Sequence, residues 1–74
     1  MRFWYVVEER CRIKEDGTLG VPISAEIVDI IPRIGTGCCE WNDVEHKDGD
    51  IYVCRKWIRT KQEAEEEIKF WMSH

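Results

Sequence analysis

The residues of this 74-residue chain whose types invite chemistry are its four cysteines, Cys11, Cys38, Cys39 and Cys54, and its two histidines, His46 and His74. Cys38, Cys39, His46 and Cys54 are the candidate metal set, and their spacing is poor for zinc. Structural zinc needs a convergent tetrahedral set, with ligands usually about two to four residues apart on knuckles. Cys38 and Cys39 are adjacent, and adjacent side chains of a strand point to opposite faces. The cysteines therefore read as small buried hydrophobes in reduced form, since no export signal accompanies them, and no cofactor is expected. Nucleophilic catalysis needs a Cys or Ser beside a histidine that a third group orients. With His46 in a turn and His74 at the end of the chain, neither histidine is placed for that. No Gly-rich phosphate loop or paired-carboxylate motif is present, so the chain reads as a non-enzyme.

Two charged patterns remain. Arg55, Lys56, Trp57 and Arg59, followed by Lys61, interleave bases with an aromatic residue, as nucleic-acid-binding sheets do. Against that stands a net charge of −4, because phosphate contacts supply most non-specific affinity. The plainer reading pairs these bases with acids such as Glu40 across a hairpin. The opposite pattern is acidic: Glu40, Asp43, Glu45, Asp48 and Asp50, together with Glu63, Glu66 and Glu67. Such a surface is ordinarily just solvated. It can also imitate a phosphate backbone and enter a basic groove of a partner, and Phe70 lies on the glutamate side, off the apolar stripe.

These residues must be positioned by a small set of elements. Thr60 and Glu63 form a capping box, so a helix is expected from Lys61. Within it Ala64, Ile68, Trp71 and Met72 follow one stripe of a 3.6-residue period, which must face a core. Arg2 to Lys14 alternates with a period of two, giving a long strand whose odd face is buried apart from Glu9. Asp16-Gly17 is a turn signal, and the Ile-rich stretch after it is read as a strand from about Ala25 to Ile31, with a helix over Ser24 to Ile31 as the alternative. A third strand is expected over Cys38 to Glu45, a turn over His46 to Gly49, and a last strand over Ile51 to Arg59. The fold class is thus α+β: a small antiparallel meander of three to four strands with one C-terminal helix on one face, in a single domain.

One helix covers one sheet face, yet the strands carry large apolar residues on both. The second face is therefore expected to be partly open, with a contact patch built from members of the set Trp4, Val6, Trp41, Tyr52 and Trp57. The longest early apolar run, Phe3 to Val7, is too short for a signal sequence or a membrane span, so a soluble cytoplasmic protein is expected. The functional expectation is a non-catalytic protein-interaction module. It would act as a small phage-type inhibitor or adaptor on a nucleic-acid-processing or defence protein, or would self-associate as a homodimer. Its contact residues would be Trp4, Trp41, Tyr52, Trp57 and Phe70 with Glu63, Glu66 and Glu67. The alternatives are a single-stranded nucleic-acid binder using Arg55, Lys56, Trp57 and Arg59, and a small zinc domain.

Overall fold

The computed structural model describes residues 2–33 and 44–73. Cys38, Cys39, Glu40, Trp41 and Asp43 lie outside the described residues, as does most of the expected third strand. The elements are β1 (Phe3–Ile13), β2 (Leu19–Pro32), β3 (Val44–Asp48), β4 (Ile51–Ile58) and α1 (Lys61–Met72). Strand order is β2-β1-β4-β3, with every pair antiparallel. This is the expected α+β fold. Two hairpins lie side by side, and the β1–β4 pairing places the first and last strands at the centre.

Local chemistry explains both hairpins. Gly17 closes the first with φ +87°, a conformation that glycine adopts without steric cost, and the Asp16 carboxylate accepts from the Thr18 amide at 3.0 Å. In the second, Asp48 pairs with Ile51, leaving Gly49-Asp50 as the whole loop, with φ +66° at Gly49. That is the glycine-first geometry of a type II′ turn. His46, Lys47 and Asp48 are consequently strand residues, and the turn begins later than expected. The Ile-rich stretch is entirely strand, longer than the expected span. Its pairing with β1 from Phe3↔Pro32 to Ile13↔Leu19 overrides the helical period of its isoleucines.

The β1–β4 register runs unbroken from Tyr5↔Ile58 to Arg12↔Ile51, so cross-strand partners share a face. One face carries Val7, Glu9 and Cys11 beside Lys56, Cys54 and Tyr52, and α1 packs here. Thr60 Oγ1 accepts from the Glu63 amide at 3.1 Å, which starts the helix at Lys61 as its cap residue dictates. Ala64, Val7 and Cys11 are essentially without exposure. Burying a valine side chain of this kind stabilises by about 2 kcal/mol. The Trp71 indole N–H donates to the Arg10 carbonyl at 3.1 Å, fixing the far end of the helix to β1. Met72 does not continue the stripe inward; it is exposed.

The expectation of an open second face needs correction. Trp4 and Val6 are only 5% and 3% exposed, and Val53 is buried on the same side. Trp57 stands 6.2 Å from Trp4 between ring centroids, and the Arg33 guanidinium lies 5.0 Å over the Trp4 ring. An aromatic pair with a cation stacked on it covers what a second helix would otherwise have to cover. The exposed large apolar residues lie elsewhere: Leu19, Val21, Ile23, Val28 and Ile30 on β2, and Phe70 and Met72 on α1.

β2 and β3 are the edge strands, and both are blunted. β2 is broken by register shifts opposite Val6/Val7, Arg10/Cys11 and Cys11/Ile13 and contains Pro22 and Pro32. β3 is five residues long, and Glu45, His46, Lys47 and Asp48 are exposed. Bulges, prolines and short charged edges oppose addition of a further strand. The side chains, rather than the free edges, are therefore the available contact surface.

Candidate functional site

The residues singled out in the sequence do not form one constellation. Tyr52 pairs with Cys11 on the helix-bearing face, whereas Trp57 pairs with Val6 on the other, so the strand period separates the two. Trp57 packs with Trp4, and Trp41 is outside the described residues. His46 pairs with Val53 and Cys54 pairs with Glu45, which puts His46 and Cys54 on opposite faces and breaks the candidate metal set. Among the described residues no group of three or more His, Cys, Asp or Glu is placed to hold a metal ion. Burial raises the pKa of the Cys11 thiol, and the Tyr52 hydroxyl is raised first by burial and then by the Glu45 carboxylate. A thiol held neutral is a poor nucleophile.

The run Arg55, Lys56, Arg59 also divides. Arg55 Nε donates to Glu8 Oε2 at 2.8 Å, and Arg10 Nη2 reaches Glu8 Oε1 at 2.8 Å. The Arg55 hydrogen bond is the first cause of the depressed Glu8 pKa. Lys56 points to the other face and joins two acids there: Nζ is 3.0 Å from Glu67 Oε2 and 3.2 Å from Glu9 Oε1. These bases do pair with acids, as the plainer reading held, but with Glu8, Glu9 and Glu67. Arg59 alone among them points toward the start of α1, where it lines a cleft with Arg2, Arg33 and Lys61.

β1 buries two carboxylates, Glu8 and Glu9, and Glu9, on the face beneath α1, has no exposure at all. Burial is the main cause that raises its pKa to about 7, and the adjacent Glu67 carboxylate is the second. Glu67 is lowered, first by the protonated Glu9 carboxyl beside it and then by the Lys56 ammonium, against the opposing effect of its own burial. Two carboxyl groups so close favour holding a proton between them. Glu67, one of the expected contact acids, is half-buried and holds α1 to the sheet.

The remaining expected contact residues are together on α1. Glu63, Glu66 and Phe70 fall at i, i+3 and i+7, so they form one ridge along the flank of the helix. All three are exposed, and Phe70 is the most open of the large aromatics among the described residues, at 61%. Phe70 and Trp71 also wall a cleft of about 360 Å³ completed by Cys11, Leu19, Gly20 and Pro22. Sequence reasoning found the ridge, because Phe70 departs from the apolar stripe. It missed the cleft, because Leu19 and Pro22 reach Phe70 only through the β1–β2 hairpin and the docking of α1. Among the described residues no helix is long and apolar enough to cross a membrane. No protein-family model matches the chain, and no match to it was found among curated proteins or solved structures.

Proposed function

We propose that this protein is a non-catalytic interaction module that docks this ridge of α1 onto a basic surface of a partner protein. The exposure of Phe70 beside Glu66 and Glu63, at the mouth of an apolar cleft, carries this reading. A ridge that only faced solvent would have no use for an open phenylalanine, whereas aromatic anchors ringed by polar groups dominate protein interfaces. The glutamates set the sign of the partner: carboxylates steer and orient a basic surface, and Phe70 supplies the desolvated centre. The cleft accepts an apolar side chain from that partner. Inhibition or recruitment of a nucleic-acid-processing protein is one use of such a ridge, since its grooves are basic. The sheet face built on Trp4 and Trp57 is not the docking surface in this reading, because its tryptophans are already packed on one another.

The test compares the captured partner across variants. Wild type is expected to retain a protein with a basic surface, and Phe70→Ala to weaken that complex at least about 30-fold, the loss typical of a central aromatic anchor. Glu66→Lys is expected to abolish capture at low salt, while Lys47→Glu on β3 leaves it unchanged. Capture indifferent to Phe70→Ala and Glu66→Lys would overturn the reading, as would self-association through the ridge detected by sedimentation.

A further inference from the structure

We propose a second site, which meets the ridge only at Glu63: the cleft between the start of β1, the end of β2 and the start of α1 binds a compact polyanion of the pyrophosphate or nucleoside polyphosphate class. The cleft measures about 470 Å³ and is lined by Arg2, Arg33, Arg59 and Lys61 with Phe3, Tyr5, Thr60 and Glu63. Its bases come from three distant parts of the chain. The Arg33 amide donates to the Arg2 carbonyl at 2.9 Å, carrying the β1–β2 ladder one step beyond Phe3↔Pro32. The Tyr5↔Ile58 pair then brings Arg59 alongside, and Thr60 starts the helix directly after.

Three observations single this cleft out. First, Arg10, Arg12, Arg55 and Lys56 each form an ion pair at 3.5 Å or less, whereas none of Arg2, Arg33, Arg59 and Lys61 does among the described residues. A protein with more acids than bases has thus left four cations together against one carboxylate, Glu63. Like charges brought together without neutralisation repel, and an anion in the cleft removes that cost. Second, Arg33 Nε is buried and has no acceptor among the described residues, although buried donors are nearly always paired. Its guanidinium is stacked over the Trp4 ring at 5.0 Å, which restricts the Arg33 side chain that lines the cleft. Third, the cations are mostly guanidinium forks, whose geometry suits phosphate oxygens. The positive end of α1 adds to the field, while Thr60 Oγ1 is already occupied by the Glu63 amide.

The charge stops at the cleft, which argues for a compact ligand. A nucleic-acid strand needs a track of cations. The next bases along β4, Arg55 and Lys56, are held by Glu8, Glu9 and Glu67, and the outer side of α1 is acidic. Phe3 and Tyr5, both half-buried, give the cleft an apolar wall against which the organic part of a nucleotide can rest.

Amide and arginine side-chain NMR shifts of the intact chain, titrated with pyrophosphate, ATP and an oligothymidine at low salt, test this. Saturable shifts centred on Arg2, Arg33, Arg59 and Lys61 are expected with pyrophosphate and ATP. Arg59→Gln and Arg33→Gln should each weaken binding at least about tenfold, with Arg33→Lys intermediate because it keeps charge but loses the fork. Lys47→Gln, a base outside the cleft, should bind as wild type. Three results would overturn the proposal: no saturable shift by ~10 mM pyrophosphate, equal weakening by Lys47→Gln, or oligonucleotide affinity that exceeds pyrophosphate and grows with length. Folding of each variant is verified by its dispersed amide spectrum, and Arg59→Gln, at an exposed position, tests the site even where Arg33→Gln unfolds.

Discussion

Replacing Glu9 by Gln should abolish most of the pH dependence of stability near neutrality. Glu9 lies beneath α1 with no exposure, facing Lys56 from β4 and Glu67 from the helix, and its pKa is raised to about 7 from an ordinary 4.5. A raised acid binds protons in the folded state that the unfolded state has released, so the stability it confers is complete below its unfolded pKa and is lost as pH climbs through about 7. The span of about 2.5 pH units corresponds to about 3 kcal/mol in total, of which about 2 kcal/mol falls between roughly pH 5.5 and pH 8.5. A domain this small holds a net stability of only about 3–5 kcal/mol, so the change is large enough to read. The lowered carboxylates Glu8 and Glu67 are ionised in both states across that window and do not contribute. Urea unfolding followed by tryptophan fluorescence, at several pH values, measures it. Wild type should weaken as pH rises. Glu9→Gln should be nearly flat and should exceed wild type at the alkaline end. Wild-type stability that rises over this range, or a variant with the wild-type slope, would refute the argument.

Other perturbations follow from the same contacts. Thr60→Ala removes the acceptor for the Glu63 amide and should cost about 1 kcal/mol in urea unfolding, with frayed helix signals at Lys61 and Gln62. Val7→Ala empties fully buried volume beneath α1 and should cost about 2 kcal/mol in the same assay. Glu8→Gln should flatten the acid limb: the Arg55 bond depresses the Glu8 pKa, so its stabilisation is present above the unfolded pKa and is lost as pH falls through the folded one. Acid unfolding of wild type and variant compares the two slopes directly.

The architecture was legible because its signals are local. Thr60 and Glu63 announce the helix start, Gly17 and Gly49 supply the positive φ of the turns, and the period of two in β1 gives the strand. What was not legible depends on pairing between distant strands. The period of two already separates Tyr52 from Trp57, but only the β1–β4 register shows that Tyr52 joins Cys11 beneath α1 and Trp57 joins Val6 on the other face. Trp4 looked exposed because nothing in the sequence shows that Trp57 and Arg33 close over it. Arg55 and Lys56 were expected to pair with acids such as Glu40 across the hairpin, and their observed partners, Glu8 and Glu9, precede them by 47 residues in the chain. By the same logic Arg2, Arg33, Arg59 and Lys61 carry no sequence motif, and only the two ladders bring them to one cleft. The acidic ridge was visible beforehand, since helix spacing alone puts Glu63, Glu66 and Phe70 on one side.

A photo-crosslinking residue placed in turn at positions 70, 66, 46 and 57, in the source cell, tests the interaction account most directly. The account predicts that positions 70 and 66 trap the same basic partner protein, that position 46 on β3 traps nothing above background, and that position 57 remains silent because its ring packs on Trp4. Crosslinking at positions 46 or 57 with position 70 silent would contradict it.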